Sequence, residues 1–127
     1  MKITTFNPQI FTKDADSIVA VFEGLGFEKR HDQEKIGELN VEGIRMKSPD
    51  GFYLDISCPD VDLPRDMVGI RMNVDDFDNV YQLFLGNGFR NVYGEKTVDT
   101  ATSKSAVLIS PSGFAVNLIQ HIKKENG

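Results

Sequence analysis

The sequence has very little cysteine and no long apolar run, and each absence excludes a class of protein. Cys58 is the one cysteine among 127 residues, so an intrachain disulfide, and with it a disulfide-stapled secreted scaffold, is excluded. No stretch of about 18 apolar residues occurs, so we predict no membrane-spanning helix. The first residues also lack the apolar core of a signal peptide. We therefore expect a cytoplasmic protein with no membrane partner.

The sequence also lacks the short motifs that mark common catalytic and nucleotide-binding sites. It has no Walker loop, no Gly-x-Gly-x-x-Gly, no His-Glu-x-x-His and no cysteine pairs at zinc-ribbon spacing. The formal net charge is −5, which argues against a nucleic-acid partner because phosphate backbones attract basic surfaces. An acidic balance mildly favours a cationic ligand, although most acidic proteins are simply soluble ones.

The composition that remains is that of an ordinary folded domain. Hydrophobic residues make up 40% and charged residues 26% of the chain. The length falls in the range of one domain and is sufficient for a hydrophobic core without disulfides or metals. We therefore predict a single folded domain, residues 1–127.

The chain repeats itself at a constant offset of 62 residues, which is the spacing from Asp14 to Asp76. The identities occur in three separate segments without a gap, and they fall at turn and cap positions. Because one offset satisfies all three segments, it predicts two copies of one structural unit. The matching pairs are Asp14 and Asp76, Asp16 and Asp78, Phe22 and Phe84, Gly24 and Gly86, Gly26 and Gly88, Phe27 and Phe89, Ser48 and Ser110, Pro49 and Pro111, Gly51 and Gly113, and Phe52 and Phe114.

Each copy shows the same order of secondary-structure signals. Residues 69–74 of the second copy alternate between apolar and other side chains, which is typical of a half-buried strand. Asp14 and Asp76 are N-cap residues that begin a helix, and Gly24 and Gly86 end it. Further strands follow in each copy. The sequence therefore predicts an α+β fold of two tandem βαβββ units.

Two turns and one linker set the limits of these units. The turns Ser-Pro-Asp-Gly at 48–51 and Ser-Pro-Ser-Gly at 110–113 predict a hairpin between the last two strands of each copy. Residues 58–67 contain two prolines and three aspartates, which indicates a linker. The first unit is expected at about 2–57 and the second at about 68–121.

The two ungapped βαβββ units, with Ser-Pro-Asp-Gly before the last strand, resemble the vicinal oxygen chelate superfamily. This superfamily includes glyoxalase I, extradiol dioxygenases and the bleomycin-resistance proteins. The helix segment from Asp14 to Phe27, ending in Gly-Leu-Gly-Phe, also matches, and the resemblance covers about residues 2–121. It implies a curved mixed sheet with a concave cleft, helices on the outer face, and a homodimer. It implies little about activity, because the fold hosts lyases, isomerases, oxygenases and metal-free binders.

The resemblance also implies where a metal would bind. In metal-dependent members, four ligands come from the first and last strands of the two units, and the matching positions here are Asn7, Asp55, Gly69 and Asn117. Glycine offers no side-chain ligand and asparagine only a neutral oxygen, so a single carboxylate remains. We therefore expect no metal and no other cofactor. Metal-dependent glyoxalase I or dioxygenase activity is disfavoured.

Strand alternation predicts which side chains share a face with these four positions. That face is either simply solvated or the lining of a pocket. Arg71 could bind an anion or pair internally with Asp55. Asp55 and His121 are the candidates for acid–base catalysis, although His121 also fits a surface histidine near the chain end. The predicted cleft residues are Asn7, Gln9, Phe11, Tyr53, Asp55, Ser57, Gly69, Arg71, Asn73 and Asn117.

Three functions are compatible with these features. The first is a metal-free protein that binds a small organic molecule in the cleft, as drug-sequestering resistance proteins do. The alternative is a lyase, isomerase or epimerase of the same superfamily that acts on a small carbonyl substrate. A third is an interaction domain without a ligand.

Overall fold

The computed structural model describes the backbone of residues 2–36, 41–59 and 62–122, and the side chains of these residues except 31–36 and 41–42. The chain divides into two compact units. We call Asn7–Gly69 the N-terminal unit. We call Met1–Phe6 together with Ile70–Gly127 the C-terminal unit.

The N-terminal unit is a four-stranded mixed sheet with one helix. Its strands lie in the order β2-β3-β4-β1, with β1 parallel to β4 and the other neighbours antiparallel. The first strand begins in the C-terminal unit and ends in this one. The elements are β1 (Ile3–Phe11), α1 (Ala15–Gly24), β2 (Glu28–Ile36), β3 (Val41–Lys47) and β4 (Tyr53–Cys58).

Helix α1 begins at an aspartate cap. The Asp14 carboxylate accepts hydrogen bonds from the Ser17 backbone N–H at 3.3 Å and from the Ser17 hydroxyl at 2.6 Å. These bonds satisfy a free donor of the first turn, and they favour the ionised form of the acid. The Ser17 hydroxyl, and after it the backbone N–H, therefore holds the pKa of the Asp14 carboxyl below its usual value of 3.8.

The turn after the helix needs glycine in both units. Gly26 has φ of 95° and Gly88 has φ of 88°, which is the left-handed region that other residues rarely adopt. A Cβ added at Gly26 or Gly88 would lie 3.5 Å from Cγ of Pro49 or Pro111, respectively. The same glycine–proline contact therefore occurs in both copies of the repeat.

Helix α1 packs on one face of the N-terminal sheet. Met46 and Ile56 are at most 1% exposed at the centre of this core. Because side chains alternate along a strand, the residues between the core positions lie on the opposite face. The core consists of Val19, Ile44, Met46, Leu54 and Ile56, with Ile10, Ala15, Ile18, Phe22 and Phe27 packed against it.

The C-terminal unit repeats this arrangement with a more interrupted sheet. Its strands lie in the order β1-β5-β9-β8-β6, and β7 also pairs with β8. Strand β8 is antiparallel to β6, β7 and β9. Asp76 caps α2 as Asp14 caps α1, accepting from the Asn79 backbone N–H at 3.3 Å. The elements are β5 (Met67–Val74), α2 (Phe77–Gly86), β6 (Arg90–Asn91), β7 (Val98–Asp99), β8 (Ser103–Ile109) and β9 (Ala115–His121).

The predicted α+β class is confirmed, as are both helix starts, both helix ends and both hairpins. Neither helix exceeds ten residues, and within the described ranges no helix is long and apolar enough to cross a membrane. One strand differs from the sequence-based expectation. The strand predicted after α2 is two short strands, β6 and β7, separated by a turn.

The side chain of Asn91 accounts for this interruption. Its Oδ1 accepts from the Tyr93 N–H at 2.9 Å, and its Nδ2 donates to the Lys96 carbonyl at 2.9 Å. Asparagine side chains that bond to nearby backbone groups compete with strand pairing. Gly94, with φ of 78°, completes the turn.

Candidate functional site

The sheet face opposite α1 in the N-terminal unit carries a group of polar and charged side chains. In the register of the sheet, Asp55 lies between Gln9 on β1 and Arg45 on β3. Tyr53, two residues earlier on β4, lies opposite Lys47. We call this surface the polar face; its residues are Asn7, Gln9, Phe11, Arg45, Lys47, Tyr53, Asp55 and Ser57.

Asp55 is the centre of the polar face. The residue is only 5% exposed, and its Oδ2 accepts from Asn7 Nδ2 at 2.7 Å and from Arg45 Nη1 at 3.2 Å. The guanidinium is itself mostly covered, at 19% exposure. A buried carboxylate needs such partners, because an isolated charge is costly to remove from water. The pair with Arg45 therefore contributes to the compensation of the Asp55 charge.

Asn7 leaves an unsatisfied acceptor beside this pair. Its Nδ2 donates to Asp55 and also to the Pro8 carbonyl at 2.9 Å. Both partners are acceptors, so the orientation of the amide follows from the hydrogen bonds. In the part of the chain that the structure describes, the Oδ1 atom is then buried without a hydrogen-bond partner, in a residue that is 7% exposed. Such an atom is uncommon in folded proteins and indicates a position where a donor is required.

The ring of Tyr53 contacts two cations, Arg45 and Lys47. Arg45 Cζ lies 4.2 Å from the ring centroid and Lys47 Nζ lies 5.3 Å from it. Both distances are within the range of cation–π attraction. The tyrosine remains 36% exposed, so part of the ring is accessible. The polar face thus combines an accessible aromatic ring, two cations and a buried carboxylate.

Comparison with known proteins shows which fold this is. No protein-family model matches the chain, and no curated protein matches it significantly. Among solved structures, a glyoxalase/bleomycin resistance protein/dioxygenase superfamily member from Vibrio splendidus is 18% identical, with 94% of this chain and 99% of that chain covered and a TM-score of 0.61. The chain has the vicinal oxygen chelate fold.

Methylmalonyl-CoA epimerases are also similar in structure. The enzyme from Mycobacterium tuberculosis is 16% identical, with 96% of this chain and 91% of that chain covered and a TM-score of 0.66. A variant from Streptomyces coelicolor in complex with 2-nitronate-propionyl-CoA is 20% identical, with coverages of 94% and 98% and a TM-score of 0.63. At such low identity these similarities establish the fold and not the activity.

The residues at the metal positions of the vicinal oxygen chelate fold do not fit a divalent ion. Asp55 is the one carboxylate among them, and Arg45 already lies against it. Asn7 presents its Nδ2, a donor, to that carboxylate. In the described parts of the chain, no group of three or more His, Cys, Asp or Glu side chains could hold a metal. The donor set thus gives a physical reason for the predicted absence of a metal.

The remaining predicted site residues lie on β5 and β9. Arg71 Nε donates to Asn73 Oδ1 at 3.2 Å, and Asn73 is 6% exposed. Asn117 on β9 lies opposite Val107 on β8. His121 is exposed at the end of β9, as the surface interpretation expects. Gly69, the last residue of the N-terminal unit, is buried in β5.

The two copies of the repeat therefore differ in chemistry. The residues 62 positions after Arg45, Lys47 and Tyr53 are apolar. The C-terminal unit thus lacks the paired cations and the ring at these positions, which are occupied by Val107, Ile109 and Ala115.

Arg45 and Lys47 are not among the site residues predicted from the sequence. The turn at 48–51 contains the information needed to find them, because the Ser48 N–H donates to the Phe52 carbonyl at 2.9 Å and closes the hairpin. Counting outward from that bond places Lys47 opposite Tyr53 and Arg45 opposite Asp55. The prediction considered the first and last strands of each unit and did not count across to β3.

Proposed function

We propose that this protein binds a small organic molecule on its polar face without using a metal ion. The observation that carries the proposal is the accessible ring of Tyr53, 36% exposed, with the Arg45 guanidinium 4.2 Å from its centroid. Ligand sites typically combine apolar surface with a few polar groups that converge on one point. The accessible ring of Tyr53 beside the buried cluster matches this description.

Binding without a metal follows from the contacts of Asp55. The Arg45 guanidinium, 3.2 Å from its Oδ2, would be repelled by a divalent cation at the same carboxylate. Organic ligands can instead use the remaining donors of Arg45 and the ring of Tyr53. We propose sequestration of a drug-like molecule as the specific form of this function. The expected homodimer and cytoplasmic location stay predictions.

The alternative is an epimerase acting on a small carbonyl compound. The methylmalonyl-CoA epimerases among the structural neighbours favour this alternative. Asp55 is the carboxylate of the polar face and would accept the proton from the substrate carbon. Hydrogen bonds from Asn7 and Arg45 oppose this role because they stabilise the carboxylate in its resting position.

A ligand screen in the presence of a chelator tests the proposal. Planar organic compounds are screened against EDTA-treated protein by thermal shift, and the compounds that stabilise it are measured by calorimetry. We expect Tyr53→Ala to weaken the best compound about tenfold through the loss of ring contact and of support for Arg45. Phe52→Ala is the matched control, because Phe52 is the preceding aromatic, 70% exposed.

Two results would contradict metal-free binding on this face. One is binding that requires added divalent metal, and the other is binding that Tyr53→Ala leaves unchanged. Incubation with methylmalonyl-CoA in D₂O separates the alternative. Deuterium incorporation at the α-carbon that disappears in Asp55→Asn would establish the epimerase in place of the binder.

A further inference from the structure

The polar face has two cations, Arg45 and Lys47, whose hydrogen-bonding capacity is largely unused among the described residues. We infer that the ligand carries an anionic group, a carboxylate or a phosphate, bound by Arg45 and Lys47 beside Tyr53. This inference rests on the proposed function, and it names the class of molecule bound there. It also reverses the preference for a cationic ligand that the net charge of −5 suggests.

Arg45 has most of its hydrogen-bonding capacity available. A guanidinium carries five N–H donors in one plane. Within the described residues, one donor group of Arg45 makes a hydrogen bond, from Nη1 to Asp55 Oδ2 at 3.2 Å. The remaining donors can form two parallel bonds to a carboxylate or phosphate. Contact with the Tyr53 ring at 4.2 Å orients the guanidinium plane before a ligand arrives.

Among the described residues, Lys47 is a cation without a bound carboxylate. In the part of the chain that the structure describes, its ammonium contacts the Tyr53 ring at 5.3 Å and forms no ion pair. Glu28 lies opposite Lys47 on β2, yet the two side chains do not pair. The ammonium is thus held near Arg45 by the ring and can accept an external anion.

A second lysine–ring contact, in the C-terminal unit, differs from that of Lys47 because its lysine also has a carboxylate partner. Lys104 Nζ lies 5.1 Å from the Phe77 ring, a distance similar to that between Lys47 and Tyr53. Lys104 also pairs with Asp78 at 3.3 Å, so its charge is already balanced. A lysine over an aromatic ring is therefore compatible with an internal ion pair, and Lys47 lacks one within the described residues.

Four probes of similar shape and different charge test the inference. Benzoate and phenyl phosphate are anionic, benzamide is neutral and benzamidine is cationic. Each is titrated into ¹⁵N-labelled protein, and the amide shifts of β3 and β4 are followed by NMR. We expect an anionic probe to bind at least fivefold more tightly than benzamide, and benzamidine to bind most weakly. The order of benzoate and phenyl phosphate identifies the anion.

Substitutions test whether the preference for anionic probes depends on Lys47. We expect Lys47→Gln to weaken the tighter anionic probe about fivefold, the size expected of a partly exposed charge contact, and to leave benzamide unchanged. Lys104→Gln is the control, since it removes the same charge from the other lysine–ring contact. Glu28→Gln should strengthen anion binding slightly, because it removes the negative charge opposite Lys47 on β2.

The possible results distinguish the anion preference from the proposed binding of a small molecule on the polar face. Tighter binding of benzamidine, equal binding of all probes, or an anion affinity that Lys47→Gln leaves unchanged would overturn the anion preference alone. The same holds if no probe binds while compounds from the screen do. Failure of every screened compound to bind the polar face would overturn the proposed function itself.

Discussion

At the scale of single residues, two ion pairs of nearly equal length should differ greatly in their contribution to stability. Arg45 and Asp55 are 3.2 Å apart with side-chain exposures of 19% and 7%. Lys104 and Asp78 are 3.3 Å apart with exposures of 36% and 85%. Removing one partner of a covered pair leaves an uncompensated charge, whereas exposed charges are solvated by water.

We therefore predict that Asp55→Asn lowers the free energy of unfolding by about 2 kcal/mol. Asp78→Asn should change it by less than about 0.5 kcal/mol. Urea denaturation at neutral pH measures both, and each substitution keeps the shape of the side chain. Equal effects of the two variants would show that Arg45 does not depend on Asp55 for its compensation.

The same residues show what sequence reasoning could find at this scale. Strand alternation placed Asn7, Gln9 and Asp55 on one face, and the structure has them on that face. Alternation requires only the local chain. Arg45 is ten residues from Asp55 and meets it through hairpin register, which has to be counted from the turn. The unsatisfied Oδ1 of Asn7 was beyond prediction, because it depends on which atoms surround one amide.

At the scale of elements, the start of α1 depends on a titratable cap. Hydrogen bonds from Ser17 lower the pKa of Asp14. A lowered pKa means that the folded state binds the proton less well than the unfolded state does. The contribution of the cap is therefore fully present above the ordinary pKa and is lost as the pH falls through the folded value.

We predict that Ser17→Ala raises the pKa of Asp14 toward its usual value of 3.8, because the hydroxyl is the larger of the two causes. Titration of the Asp14 carboxyl carbon by NMR measures this directly. Ser17→Thr keeps a hydroxyl at the same position and should retain the lowered pKa. If both variants behave as the native protein does, the backbone N–H alone accounts for the shift.

Elements whose signals lie within a few residues were predicted well. An element was not predicted where a side chain competes with strand pairing for the backbone hydrogen bonds. The caps of α1 and α2 involve side chains three residues apart, so the sequence displays them. The division of a strand into β6 and β7 arises from hydrogen bonds of Asn91. Nothing in an asparagine alone shows whether its amide or the neighbouring strand will satisfy the backbone.

At the scale of the whole molecule, the repeat copies the hydrophobic core but not the polar face. Met46 and Leu108 are 62 residues apart, both are 0% exposed, and each belongs to the core of its own unit. The positions of Arg45 and Tyr53, by contrast, are apolar in the second copy. Core packing requires the same pattern of apolar residues in both copies. The proposed ligand site requires its polar and aromatic residues in only one copy.

We therefore predict equal losses of stability at core positions that are 62 residues apart. Met46→Ala and Leu108→Ala should each lower the free energy of unfolding by about 3 kcal/mol, since both remove a fully buried side chain and leave a cavity. Val21 and Leu83 are also 62 residues apart, and they are 59% and 53% exposed on α1 and α2. Alanine at either exposed position should change stability by less than about 0.5 kcal/mol.

Urea denaturation of the four variants provides the comparison. If the repeat is a shared packing solution, stability will depend on burial and not on the unit that carries the substitution. A large loss at Met46 with a negligible loss at Leu108 would contradict this, because it would mean that one core tolerates a cavity that the other does not. Such asymmetry would mean that the two copies share backbone conformation, as at Gly26 and Gly88, but not the packing of their cores.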